Sequence, residues 1–136
     1  MTTNAPAIRQ KIHFSVAEQN RLHQWLLQAG PLLGYSLIKR TTQCRKGGCK
    51  CTQGEPHGPF WYLSARVNGK TVYRYLKQSD EEAIAPLCKQ YKSFQRHLSE
   101  LRRQQSQILA LCARLRKELL KAGERQWNNR IGRRGT

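Results

Sequence analysis

Acidic residues are scarce in this chain: 8 Asp and Glu stand against 25 Lys and Arg, a formal net charge of +17. Three of the eight, Asp80, Glu81 and Glu82, are consecutive. No pair of carboxylates is spaced for general acid–base work, which argues against a hydrolase or nuclease. G-x-S-x-G, H-E-x-x-H and a Gly-rich phosphate loop are missing too. No run approaches the roughly 18 apolar residues of a membrane span, and the first residues, M-T-T-N-A-P-A-I-R-Q, hold no apolar signal-peptide core. A cytoplasmic protein without membrane contact is expected. Five cysteines in a reducing compartment then point to metal rather than to disulfides.

What is present concentrates between positions 44 and 76. Cys44, Cys49, Cys51 and His57 follow a C-x4-C-x-C-x5-H spacing. Three thiolates and one imidazole complete a closed tetrahedral shell with no place for water, the donor set of a structural zinc rather than a catalytic one. His13, His23 and His97 lie outside the loop as alternative fourth ligands, and Cys88 and Cys112 fit the apolar pattern of a helix as small core residues. A hairpin follows at once. Residues 60–67 are rich in aromatic and branched side chains, Asn68-Gly69 is a favoured two-residue turn, and residues 70–76 return. That turn predicts the pairs Val67 with Lys70, Ala65 with Val72, Leu63 with Arg74 and Trp61 with Leu76. The face they share is mainly apolar and should pack on a helix. The opposite face carries Phe60, Tyr62, Ser64, Arg66, Thr71, Tyr73 and Tyr75.

The flanks read as helix. Residues 1–14 are expected to be a flexible leader, and Ser15 with Glu18 fits a capping box that opens a helix ending near Gly30-Pro31. Its Leu22, Trp25 and Leu26 stand at core spacing. Residues 35–42 read as a strand entering the cysteine loop. A second capping box, Ser79 with Glu82, opens a helix that Pro86 should bend. From there Leu87, Tyr91, Phe94, Leu98, Leu101, Gln105, Ile108, Cys112, Leu115 and Leu119 recur at alternating intervals of four and three. This coiled-coil seam predicts pairing with a second copy, or a helix that breaks and folds back. Gly123 ends the pattern, and the basic tail beyond it, with Trp127, is expected to be disordered.

The run C-x4-C-x-C-x2-G-E-P-H-G-P-F-W-Y-L, with N-G-K and Y-R-Y-L after it, resembles an uncharacterised family of small bacterial proteins. The resemblance covers roughly residues 35–100. It implies a bacterial, mobile-element-associated protein and carries no established activity.

The sequence therefore predicts an α+β fold: an N-terminal helix, a zinc-stapled three-stranded antiparallel sheet and a long C-terminal helix with a coiled-coil seam. The expected divisions are a leader (1–14), a helix with the zinc knuckle and hairpin (15–78), a long basic helix (79–122) and a basic tail (123–136). The charge excess and interleaved aromatics point to a non-enzymatic nucleic-acid-binding accessory or regulatory protein, with DNA ahead of RNA. In that reading Arg66, Tyr62, Tyr73 and Tyr75 meet bases. Arg45, Lys46, Lys50, Arg102, Arg103, Arg133 and Arg134 meet phosphates. The alternative is an assembly subunit that docks on a nucleoprotein through its basic surface and recruits a protein partner, or a second copy, through the long helix.

Overall fold

The computed structural model describes residues 4–44 and 46–134, apart from the side chains of Thr52, Arg133 and Arg134. In chain order come helix α1 (Ala5–Gln28), strand β1 (Ser36–Thr42), a short 3-10 turn (Lys50–Gln53), strands β2 (His57–Val67) and β3 (Lys70–Leu76), a second 3-10 turn (Gln78–Asp80) and helix α2 (Glu81–Arg134). An N-terminal helix, a three-stranded antiparallel sheet and a long C-terminal helix are thus the architecture the sequence predicts. The chain divides into two compact units, residues 29–95 and residues 1–28 with 96–136. Helix α2 contributes its first fifteen residues to the former and the rest to the latter.

In the sheet unit the strand order is β1-β2-β3, so β2 is central. Asn68 and Gly69 both take positive φ, 51° and 79°, the backbone a two-residue primed turn demands. The hairpin register is the expected one: Trp61 with Leu76, Leu63 with Arg74, Ala65 with Val72, Val67 with Lys70. On its other edge β2 pairs with β1, Leu37 opposite Leu63 and Arg40 opposite Phe60. Directly opposed residues share a face. Leu37, Leu63 and Leu76 therefore lie on one side, where Leu63 and Leu76 are buried together with Cys88 of α2, and Leu33, Tyr35, Trp61 and Ile84 pack against them. The Leu33 amide donates to the Leu87 carbonyl at 3.2 Å and ties the entry to β1 onto α2. Two buried leucines contribute only about 2 kcal/mol each, a thin core for a unit of this size.

In the helical unit α1 starts ten residues before the expected Ser15 cap. Asn4 precedes the helix and its carbonyl accepts from the Ile8 amide at 3.2 Å, while Pro6 sits in the first turn, where a missing N–H costs nothing. Residues 5–14 are helix, not a flexible leader, and Ser15 is a buried residue in mid-helix. Ala5, Ile8 and Ser15 are buried, and Ile12, Leu22, Trp25 and Leu26 half-buried, an amphipathic stripe. Opposite it, Trp25 stacks on His97 with centroids 3.9 Å apart and planes 2° off parallel. The Gln19 amide donates to Gln105 Oε1 at 2.6 Å. A higher number on α1 meets a lower one on α2, so the two run antiparallel.

Helix α2 is continuous. It passes Pro86 without a break, because at the sixth residue of the helix the proline forfeits a single hydrogen bond near the terminus. It also passes Gly123 and extends to Arg134, so among the described residues the fold-back is not found and the expected disordered tail is helix as far as Arg134. The sequence seam is partly displaced. The seam residues Leu87, Tyr91, Phe94 and Leu98 are half-buried, but between 101 and 119 the shielded positions are 101, 104, 108, 111, 115 and 118, so Gln104 rather than Gln105 is buried and Cys112 is exposed. Leu101, Ile108 and Leu115 belong to both stripes. The difference follows from α1, which occupies this side of α2. Among the described residues no helix is long and apolar enough to cross a membrane.

Candidate metal centre

Strand β1 ends two residues before Cys44, the 3-10 turn carries Cys51 with Cys49 just ahead of it, and His57 opens β2. Gly54, at φ 103°, closes the 3-10 turn, and pairing of Thr42 with His57 brings the strand ends together. The ligating atoms of Cys44, Cys49, Cys51 and His57 all lie within 4.8 Å of one another. Cys44 Sγ is 3.3 Å from Cys51 Sγ, and Cys49 Sγ is 3.2 Å from His57 Nε2. Donors around one tetrahedral ion with metal–ligand bonds of 2.0–2.3 Å stand about 3.5–3.8 Å apart. The four atoms bracket that spacing, and the residues present could hold one metal ion.

Local backbone chemistry supports the loop. The Cys44 amide donates to Cys51 Sγ at 3.3 Å, a bond that favours the thiolate form. Gly58, at φ 107°, allows His57 to lead into the strand; a Cβ there would lie 2.9 Å from the Phe60 nitrogen and 3.2 Å from the Arg40 carbonyl. The four donors differ in exposure, with Cys51 buried, Cys44 and Cys49 half-buried and His57 exposed. His57, followed by Cys51, draws the Cys44 thiol down to about 6 through hydrogen bonding. Cys51 moves the other way, raised first by its hydrogen bond with Cys44 and then by burial. One thiolate is thus formed near neutral pH before any ion arrives.

The other candidate ligands are elsewhere. His13 and His23 are exposed on α1, and His97 is stacked on Trp25. Cys88 is a core residue under the sheet, as expected, and burial pushes its thiol up.

The sheet face away from α2 holds Arg40, Phe60, Tyr62, Arg66, Tyr73 and Tyr75, with Ile38 and the small residues Ser36, Ser64 and Thr71. Tyr73 and Tyr75 are 50% and 59% exposed. Tyr75 meets Phe60 and Tyr62 edge to face, at centroid distances of 6.2 and 5.7 Å. The Arg40 guanidinium lies over the Tyr73 ring at 5.0 Å. Arg66 reaches the Gly69 carbonyl at 3.4 Å. Tyr73 and Tyr75 therefore stand in solvent, whereas Tyr62 and Phe60 are half-buried. Arg40 was missed in the sequence because the β1 register depends on a cysteine loop of unknown course, whereas the two-residue turn fixes β3.

Lys46 and Lys50 are exposed beside the cysteines, and Arg102 is exposed on α2. Arg103 is engaged with Glu100, its Nε 3.0 Å from Oε2, and the ion pair lowers the Glu100 carboxyl. Arg45 and the side chains of Arg133 and Arg134 lie outside the described residues.

Residues 16–85, just over half of the chain, match the profile of a family described as a domain of unknown function (DUF6788). No curated protein and no solved structure matches the chain. The matched span contains the whole cysteine loop and all three strands.

Proposed function

The chain belongs to this family of unknown function, so its role is argued from its own chemistry: we propose that it is a non-enzymatic, zinc-stapled nucleic-acid-binding protein, an accessory or regulator acting on DNA. One observation carries the reading. A sheet face with two exposed tyrosines, a third that is half-buried, a phenylalanine and two arginines, without an acidic residue, belongs to a chain of net charge +17. Positive charge supplies sequence-independent attraction to phosphates, and aromatic rings supply surfaces on which bases stack.

Zinc suits the centre because three thiolates and an imidazole are soft donors in a closed shell. When bound it supplies structure, tying the end of β1 to the start of β2 where the apolar core is thin. Lys46, Lys50 and Arg102 take phosphate contacts, with Arg45, Arg133 and Arg134 in the same role. Arg103 is partly spent on Glu100. The motif resemblance adds a setting in a bacterial mobile element.

A second reading, the assembly subunit, is favoured by α2. Leu120, Trp127 and Ile131 are 63%, 58% and 47% exposed, and their intervals of seven and four place them on one side of the helix. A protein partner, or a second copy, would cover them.

The test is a mobility-shift titration of zinc-loaded protein against duplex and single-stranded oligonucleotides across a salt series. Binding at physiological salt with a steep negative slope is expected, and Lys46→Ala with Lys50→Ala should flatten that slope by about two units. If neither oligonucleotide shifts at physiological salt, the assembly-subunit reading replaces this one.

A further inference from the structure

Resting on the nucleic-acid reading above, we propose that the outer sheet face is a stacking platform for single-stranded DNA rather than a ribbon that reads a duplex groove. The topology is the first argument. A two-stranded ribbon fits the major groove of B-DNA, which is about 12 Å wide. Here β1 is paired along the outer edge of β2, so the hairpin is not a free ribbon. Three strands with their side chains span more than the groove admits, since each neighbour adds about 4.8 Å of backbone alone.

Ring placement is the second argument. Tyr62 of β2 and Tyr75 of β3 are directly opposed. Tyr75 stands edge to face with Tyr62 and Phe60, the ring planes 67° and 71° apart, and is more than half exposed, so part of its surface remains open to a base. Tyr73, two residues back on the same face, has one side occupied by Arg40. A base joining that pair would stack on tyrosine with a guanidinium alongside, the combination of aromatic and cation–π contact that holds unpaired bases. Bases in a duplex are stacked on each other and offer no free faces to such rings; bases of a single strand do.

The charge is the third. Arg40 and Arg66 are the ionisable cations of the face and no carboxylate opposes them, so a polyanion approaches without repulsion. Lys46 and Lys50 are exposed in the loop that follows β1 and add two cations to the same strand unit.

The experiment measures fluorescence-anisotropy binding of an oligothymidylate of about 15 nucleotides, close to the upper site size of a small stacking module. A duplex of equal length and an oligouridylate are titrated in parallel. The single DNA strand should bind at least tenfold more tightly than the duplex. Tyr75→Ala and Tyr73→Ala should each weaken it about 5- to 150-fold, the loss typical of one stacked base. Tyr75→Phe should restore most of the affinity, because it keeps the ring. Unchanged circular dichroism and zinc content confirm that the exposed-site variants are folded. A duplex bound as tightly as the single strand, or alanine variants that bind like wild type, overturns the stacking platform while leaving nucleic-acid binding intact. Binding of the oligouridylate in place of the thymidylate also overturns it. Absence of binding to any of the three defeats both readings together.

Discussion

Cys51→Ser is the perturbation that separates a metal-stapled sheet from a loop of reduced thiols. Cys51 is fully buried, and its sulfur accepts the Cys44 amide at 3.3 Å. Serine keeps the volume nearly constant and still accepts that bond, so loss of packing is small. What it removes is the thiolate, and the change is carried by metal affinity. If the metal stands at a thousandfold excess over its dissociation constant, its binding stabilises the native state by about 4.1 kcal/mol. A variant whose affinity falls a hundredfold keeps about 1.4 kcal/mol of that, a loss near 2.7 kcal/mol. For a domain of 60–100 residues, 1 kcal/mol moves the melting point by about 4–8 °C, so a drop of about 10–20 °C is expected. The assay is a thermal melt followed by circular dichroism, paired with elemental analysis of chelator-free protein. Cys88→Ser is the control: it places a hydroxyl in the same sheet unit, in the core between Leu63 and Leu76, without touching the donor set. It should melt lower yet retain full metal content. Wild-type protein that carries no metal, or that melts at the same temperature with and without a strong chelator, refutes the reasoning.

Two further outcomes follow from the geometry. In metal-free protein the Cys44 thiol, held at about 6, is largely thiolate at pH 7 and loses that form as pH falls through 6, whereas the raised Cys51 thiol stays protonated. Brief iodoacetamide treatment at pH 7 with peptide mass spectrometry should label Cys44 before Cys51, and bound metal should protect both; equal labelling rates in the metal-free protein contradict the assignment. Gln104 is buried in the helical unit and its Oε1 has no hydrogen-bond partner. Gln104→Leu should therefore raise the stability of that unit by about 1 kcal/mol, measured by urea melts, and a destabilised variant would show that the carbonyl is satisfied in solution.

The parts of this protein legible in its sequence are those whose physics is local. Asn68-Gly69 determines the hairpin register because a two-residue turn with both φ values positive leaves no slack, and every predicted pair was found. The four metal donors are close in the chain, so short-range loop closure gathers them whatever surrounds the sheet. Helix starts were less secure. Ser15 with Glu18 matches a capping box, yet the stronger signal lies upstream, where Asn4 precedes a proline already in the helix. A box pattern inside an amphipathic run is overridden once a longer apolar stripe, from Ala5 to Leu26, gains a surface to cover. That surface was decided only in three dimensions. The heptad-like spacing of α2 announced a partner without naming it, and α1, distant in sequence, takes that place and shifts the shielded positions to Gln104 and Leu111. Arg40 came to the aromatic face in the same way: its side of the sheet depends on how β1 returns along β2 after the cysteine loop, a non-local pairing that strand alternation alone leaves open.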